Sequence, residues 1–339
     1  MPDDITLITQ LPSKGWYESF VPRPNGHFLV ARVDKGELYD VDHQNPDSPP
    51  ELLYKFDESV TNGIIDLCAV PGHDDEYILL TGIVDLAAAK AGDFITWRIR
   101  LSKNGKQAPV VTELAHLPEA ALVIGVAAFS PRYLLVCDSA RGCLWQVDVQ
   151  TGKTSILISD EDFTTISEEH YFGICAIHIV DNYVWFTNSS RASLGRVPLR
   201  LEKAQSQLVV DGEIEILSRE IEACDGLTVS PDSSVAYTGC LPSGCVWKVE
   251  IFTDGSTKTS KAIENLVYPT DAHVVKENGK HKLYVLCVGE TELPWSDDGD
   301  EWKDLAGINE SVTIEVTTEV IEEGAESDET IGYSGRAYS

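Results

Sequence analysis

The chain of 339 residues is 43% hydrophobic and 24% charged, which is enough apolar material for a large core and too much for a disordered chain. A formal net charge of −29 sets up a field that repels nucleic acid and anionic membrane surfaces, so neither is an expected partner. No run approaches the roughly 18 apolar residues of a transmembrane helix, and the first residues show no basic or apolar leader region, so the expected location is the cytoplasm.

In chain order, residues 5–10 of "ITLITQL" read as a lone strand. "GWYESFVPRPNGHFLV" (15–30) reads as a strand, a turn at Asn25 and Gly26, and a second strand. The first of these strands is apolar yet carries Glu18 directly after Trp16 and Tyr17. Later come "IIDLCAV", "DEYILLTG" with "GDFITWRIRL", "LVIGVAAFS", "PRYLLVCDSARGCLWQVDVQTGK", "GICAIHIV", "DNYVWFTNSSRASLGRVPL", "DGLTVS", "SSVAYTGCLPSGCVWKVEIFTDG", "PTDAHVV" and "KHKLYVLCVG". Each is a short apolar run bounded by Gly, Asp, Asn, Ser or Pro, and almost nothing has helical periodicity. Between the last strands, 289–307 ("GETELPWSDDGDEWKDLAG") is long, acidic and carries Trp295 and Trp302, as a lid over a pocket or a surface decoration would. Residues 321–339 form an acidic C-terminal tail.

Units of roughly 40 to 55 residues with three or four strands each point to a β-propeller. The fold class is therefore all-β: a six-bladed β-propeller with four-stranded blades at about 11–58, 59–117, 118–164, 165–220, 221–266 and 267–320, with strand 5–10 closing the last blade. A pair of β-sandwiches is the alternative, but it leaves six similar units unexplained.

Eight cysteines lie mostly in apolar runs and are expected to be reduced. Cys137 with Cys143, and Cys240 with Cys245, flank hairpin turns and are candidate neighbours. The sequons at Asn188 and Asn309 matter only in a secreted chain.

Ligands of a propeller sit at one mouth of the central channel, so the pocket candidates lie on or just before the first strand of each unit. They are Trp16, Tyr17, Asn62, Asp138, Tyr171, Phe172, Asn188, Tyr268 and Asp271. Each has a plainer reading. Trp16 suits the core, Asn62 suits a turn beside Gly63, Tyr171 and Phe172 suit a blade cap, and Asp138 and Asn188 suit turn bracing. His170 and His178 read as ordinary surface or core histidines. No GxGxxG, Walker A, HExxH or GxSxG motif is present, so no nucleotide or redox cofactor is expected.

"WYESFVPRPNGHFLVARVDKGELYDVD", "ITWRIRL", "LLVCDSARGCLWQVDVQTGK", "FGICAIHIVDNYVWFTNSS" and "LGRVPL" resemble the fungal branch of the regucalcin/gluconolactonase-like six-bladed propellers, over about residues 12–290. The resemblance implies an axial calcium held by a Glu, two Asn and an Asp. Those positions match Glu18, Ile124 (at or near), Cys175 and Asp225. Both amides are lost, and two carboxylates make a poor cage for an ion that takes six to eight oxygens. The expected cofactor is therefore none, with calcium on Glu18 and Asp225 as the alternative.

Some members of this fungal branch are hetero-Diels–Alderases of tropolone–sesquiterpenoid biosynthesis. That resemblance implies a cycloaddition between a quinone methide and a sesquiterpene. Such a reaction needs a near-attack pose, a donor to the carbonyl and a dry pocket. Glu18, Asp225 and Tyr268 are the expected catalytic groups. Trp16, Tyr17, Asn62, Asp138, Tyr171, Phe172, Cys175, Asn188, Asp271, Trp295 and Trp302 are expected to bind a hydrophobic substrate. The alternatives are a calcium-dependent lactonase or esterase and a non-catalytic ligand-binding propeller.

Overall fold

The computed structural model describes residues 5–12, 15–86, 88, 90–102, 107–167, 170, 172–202, 207–277 and 279–288, and the backbone of 313–317. Short runs of Val, Ile, Leu and aromatic residues between turn formers dictate strands. Among the described residues the helical content is a single 3-10 turn, Glu161–Phe163.

Strand β1 is Ile5–Gln10. The first sheet then takes β2 (Tyr17–Pro22), β3 (Phe28–Arg32), β4 (Glu37–Val41) and β5 (Glu51–Lys55) in chain order. The next takes β6 (Gly63–Ala69), β7 (Glu76–Asp85), β8 (Lys90–Arg100) and β9 (Val110–His116). The third takes β10 (Val123–Ala128), β11 (Tyr133–Asp138), β12 (Cys143–Asp148) and β13 (Lys153–Ser159). The fourth takes β14 (Ile174–Val180), β15 (Tyr183–Asn188), β16 (Ser193–Glu202) and β17 (Gln207–Val210), with β18 (Glu215–Ser218) as an addition. The fifth takes β19 (Cys224–Val229), β20 (Val235–Cys240), β21 (Cys245–Ile251) and β22 (Thr257–Ile263). A further sheet joins both parts of the chain, since β23 (Pro269–Glu277), β24 (Lys280–Cys287), β25 (Thr313–Thr317) and β1 pair in the order β1-β25-β24-β23.

The architecture is an all-β propeller with four-stranded blades, not a pair of sandwiches. The first strand of each sheet lies against the first strand of the next: β2 by β6, β6 by β10, β10 by β14, β14 by β19, β19 by β23, and β23 by β2. The fourth unit departs from the expected three or four strands. Its β16 is ten residues long, and its first half pairs with β18 while its second half pairs with β17.

Facing sheets bury their apolar faces against one another. Phe20 and Phe28 of the first sheet meet Tyr284 of the last, with Phe28 and Tyr284 rings 4.8 Å apart, and all three are essentially inaccessible to water. Burying each such ring contributes about 1.5–3 kcal/mol before packing terms. Glycine is needed in the turn before the third strand of three sheets, where Gly36, Gly142 and Gly244 have φ of +58°, +60° and +58°.

Candidate active site

Each inner strand breaks register with its neighbour at the same place, close to its start. The shift falls between Tyr17 and Ser19, Ile64 and Asp66, Val123 and Gly125, Ile174 and Ile177, Cys224 and Leu227, and Pro269 and Asp271. Such a bulge leaves a residue unpaired and re-aims its side chain. The residues set free are Glu18, Ile65, Ile124, Cys175 with Ala176, Asp225 with Gly226, and Thr270. One repeated backbone feature thus brings Glu18 and Asp225, 207 positions apart, to one level of the channel. Asp66 and Asp271 follow directly on their strands.

These four carboxyl groups form a polar ring between sheets. Ser19 Oγ lies 2.6 Å from Asp66 Oδ1 and 3.2 Å from Asp271 Oδ2. Asp66 also accepts the backbone N–H of Leu67 (2.8 Å) and of Val126 (2.6 Å), and so ties β2, β6 and β10 together. Asp271 accepts the N–H of Phe20 (3.1 Å) and of Ala272 (2.8 Å). The Trp16 indole N–H donates to Glu18. The Cys175 thiol donates to Asp225 Oδ1 at 3.5 Å.

Burial, opposed by the Trp16 hydrogen bond and helped by the charges of Asp271 and Asp66, raises the Glu18 carboxyl to about 7. Burial raises Asp66 to about 7 as well, against the hydrogen bond from Ser19. Asp225 is raised well above the usual carboxylate range, first by burial and then by the charge of Glu18. The two members of the Glu18–Asp225 pair differ for a local reason. An indole N–H stabilises the ionised form of Glu18, while Asp225 has a thiol, a weaker donor. Burial, then the neighbouring His273, lowers His178 to about 4, so this histidine is neutral in neutral solution.

The structure distributes the expected site residues over several places. Glu18, Asp225, Cys175 and Asp271 meet at the carboxyl ring. Trp16 and Tyr268 share an apolar cluster with Ile65, Val123, Leu241 and Val288. Tyr268 also borders a cleft of about 340 Å³ lined by Leu241, Pro242, Ser243, Gly244, Leu266 and Val267.

Four of the expected residues are engaged by the protein's own backbone. Tyr17 is fully buried and donates its hydroxyl to the Pro12 carbonyl at 3.1 Å. Asn62 clamps Val84, accepting its N–H at 2.7 Å and donating to its carbonyl at 2.9 Å. Asp138 is fully buried and accepts from the N–H groups of Ala121, Leu122 and Arg141 and from the Trp145 indole. Asn188 is fully buried, donates to the carbonyls of Asp162 and Thr164, and accepts from Arg191 N–H. Asp138 and Asn188 each take the N–H three residues on, the turn-bracing habit of Asp and Asn, which satisfies their polar atoms without a ligand. The carbonyl of Phe172 accepts Ser190 N–H at 3.1 Å. Tyr171, Trp295, Trp302, Asn309, the expected lid and the acidic tail lie outside the described residues.

Sequence reasoning missed Asp66. Its signal was the one that exposed Glu18: a carboxylate inside an apolar first strand, "GIIDLCA".

The donor set does not fit calcium. Ile124 offers no oxygen, Cys175 is a soft donor, and Asp66 and Asp271 are engaged by backbone amides and Ser19. Among the described residues, no three of His, Cys, Asp and Glu converge as metal ligands.

Gly226 shows how tightly this ring is built. A Cβ there would lie 2.5 Å from Asp271 Oδ1 and 2.5 Å from the Thr270 carbonyl. Gly226→Ala is expected to destabilise the protein by about 1–3 kcal/mol, read as a lower urea midpoint with an unchanged slope. An unchanged midpoint would show that the ring tolerates a methyl group there.

The fold is shared with solved propellers. Regucalcin from Agrobacterium tumefaciens, a calcium-binding protein, matches at a TM-score of 0.56 and 13% identity, over 92% of this chain and 95% of that one. The PQQ-bound aldose sugar dehydrogenase from Streptomyces coelicolor matches at 0.57 and 10% identity, over 92% and 97%. A protein of unknown function from Bacteroides thetaiotaomicron matches at 0.60 and 12% identity, over 92% and 75%. At these identities the likeness is one of fold. No family profile and no curated protein matches the sequence. No helix among the described residues is long and apolar enough to cross a membrane.

Proposed function

We propose that the protein is an enzyme that hydrolyses a lactone or related ester at the carboxyl ring, and that the sheet β1-β25-β24-β23 is the sixth blade of the ring around it. The observation that carries this reading is the pair Glu18 and Asp225: half-buried, both set free by a bulge on an inner strand, both raised in proton affinity, and held by unlike donors, an indole N–H and a thiol. Two carboxyl groups of that kind supply a base and an acid at the same pH. The fold is shared with an aldose sugar dehydrogenase, an enzyme of small oxygenated molecules, which supports an enzymatic reading.

Glu18, ionised above about pH 7, takes a proton from water. The water oxygen attacks the acyl carbon. Asp225, still protonated, donates to the departing alkoxide, and the C–O bond breaks to give a hydroxy acid. Repulsion from the neighbouring Asp271 and Asp66 adds to burial in raising the proton affinity of the pair. Trp16, whose indole N–H donates to Glu18, ties the pair to the apolar cluster it shares with Tyr268. No step needs a cation, and the donor set provides none of the usual cages.

The test is hydrolysis of a panel of five- and six-membered lactones. The pH–rate profile is expected to rise through about pH 7 as Glu18 ionises and to fall at higher pH as Asp225 loses its proton. The rate is expected to be unchanged by EDTA. Loss of activity on chelation, restored by calcium, would return Glu18 and Asp225 to the role of metal ligands.

One observation favours a second reading, the cycloaddition of a quinone methide with a sesquiterpene. Asp225, its proton affinity raised by burial and then by the charge of Glu18, is the kind of donor that such a carbonyl needs. That reaction needs no base, so its rate would fall, and never rise, with increasing pH.

A further inference from the structure

The turn 241–244 joins β20 to β21, and the register sets Cys240 directly opposite Cys245. Directly opposed residues hold their Cβ atoms about 4.5–5.5 Å apart, a small adjustment from disulfide geometry. The other hairpin pair is built differently. Cys143 stands opposite Asp138 and Cys137 opposite Leu144, so those thiols are offset by one residue and leave opposite faces.

A single hydroxyl sits on both sulfurs of the opposed pair. Ser243 Oγ is 2.8 Å from Cys240 Sγ and 3.0 Å from Cys245 Sγ. The Glu222 carbonyl lies 2.6 Å from Cys240 Sγ and accepts from that thiol. Both cysteines are buried, but Ser243 is exposed at the turn, and the turn is one wall of the 340 Å³ cleft that Tyr268 borders. Solvent therefore approaches the sulfurs across one side chain.

We propose that Cys240 and Cys245 form a peroxide-sensitive dithiol that closes to a disulfide across this turn. Cys245 is the attacking sulfur. The neighbouring Cys240 lowers it to about 6 against its burial, helped by Ser243 and the Lys261 ammonium and opposed by Glu264. Cys240 is raised by its neighbour Cys245 and by burial, so it keeps its proton until the second step. The Cys245 thiolate attacks one peroxide oxygen, the O–O bond breaks, and Cys245 becomes a sulfenic acid with release of hydroxide. Cys240 then attacks the Cys245 sulfur, the S–O bond breaks, and water leaves with the Cys240 proton. Two electrons pass from the thiols to the peroxide, and with one proton from solvent the products are a disulfide and two waters. The bridge would fix a turn whose Gly244 carbonyl accepts Leu266 N–H at 2.9 Å, two residues before Tyr268.

The test is brief treatment of the reduced protein with dilute hydrogen peroxide, followed by alkylation, trypsin and mass spectrometry. Residues 220–248 leave trypsin as one peptide holding Cys224, Cys240 and Cys245. The expected peptide is two hydrogens lighter, alkylated at Cys224 alone, and resistant to fragmentation between 240 and 245. Cys245→Ser is expected to abolish the mass loss, and Cys224→Ser to retain it. A bridge mapped from Cys224 to Cys240, or no mass loss in the wild type, would overturn the proposal. A second measurement is independent of any variant. At pH 7 the native wild-type protein is expected to alkylate at Cys245 at least about tenfold faster than at its other seven cysteines, because the thiolate is the reactive form. Equal rates at all eight would also overturn it.

Discussion

Replacing Glu18 by Gln is expected to lower kcat/KM for lactone hydrolysis by about 10²–10⁴-fold, the usual contribution of a positioned general base. The loss is expected in kcat, with KM little changed. Gln has the shape of Glu and keeps a carbonyl oxygen for the Trp16 indole N–H, so the pocket wall stays in place. What disappears is the group that takes the proton from water. The rising limb of the pH–rate profile is expected to vanish with it. Steady-state kinetics on one good lactone substrate decides the matter. If Glu18→Gln hydrolyses at the wild-type rate, Glu18 is not the base, and the cycloaddition, which needs only a protonated donor, becomes the better account. Asp225→Asn is expected to slow either reaction, because both lose their donor, so Glu18→Gln is the variant that separates the two readings.

Stability is expected to be higher near pH 5 than near pH 7.5, against the habit of most proteins. A carboxyl that is hydrogen-bonded or paired usually has a lowered folded-state pKa, and its stabilisation is lost on acidification. Here the sign is reversed for three half-buried groups. Glu18 and Asp66 sit at about 7 in the folded protein, and Asp225 is raised well above its ordinary value. Unfolded, all three ionise near pH 4. Folding then binds protons between about pH 4 and pH 7, so the stability these groups give is present at low pH and is lost as the pH rises through the folded values. A tenfold change in proton affinity corresponds to about 1.4 kcal/mol, and the three groups interact, so a combined effect of a few kcal/mol is expected. Below pH 4 the ordinary direction takes over. Asp148, with its Arg132 partner, and Asp232, held by Ser230 and Ser234 against its burial, have lowered values and lose their stabilisation there.

Thermal unfolding followed from pH 4.5 to 8 measures this directly. Asp66→Asn is expected to flatten the slope, because it removes one of the three titrations. It should also cost about 1–3 kcal/mol at low pH, since Asp66 accepts Ser19, Leu67 and Val126 at once and an amide oxygen replaces only part of that set. A melting temperature that climbs steadily from pH 5 to pH 8 in the wild type would mean that the carboxyl ring is ionised and solvated, and the acid role of Asp225 would fall with it.

The architecture was readable in the chain because its signals are local. Apolar runs of strand length, turn residues between them and a recurring period depend on neighbours in sequence, and "SARGC" and "LPSGC" announce the glycine turns that the backbone requires. Glu18 was visible for the same reason, as a charge where the pattern demanded an apolar residue. Asp66 carried the same mark in "GIIDLCA" but had no aromatic neighbours to draw attention to it. Asp138 and Asn188 read two ways in the sequence, as ligand groups or as turn braces. A polar residue at the end of an apolar strand looks alike whether it faces a ligand or a backbone turn, and only the position of Arg141 N–H or Arg191 N–H tells the two apart.

The sequence by itself determined that this chain forms repeated four-stranded units, that its core is apolar and its surface acidic, and that carboxylates interrupt strands meant to be buried. The tertiary structure alone decided what those carboxylates do. Proton affinity depends on distance and burial, and residues such as Glu18, Asp66, Asp225 and Asp271, spread over more than 250 positions, acquire both only when the ring brings its inner strands together and a shared bulge turns their side chains to one level.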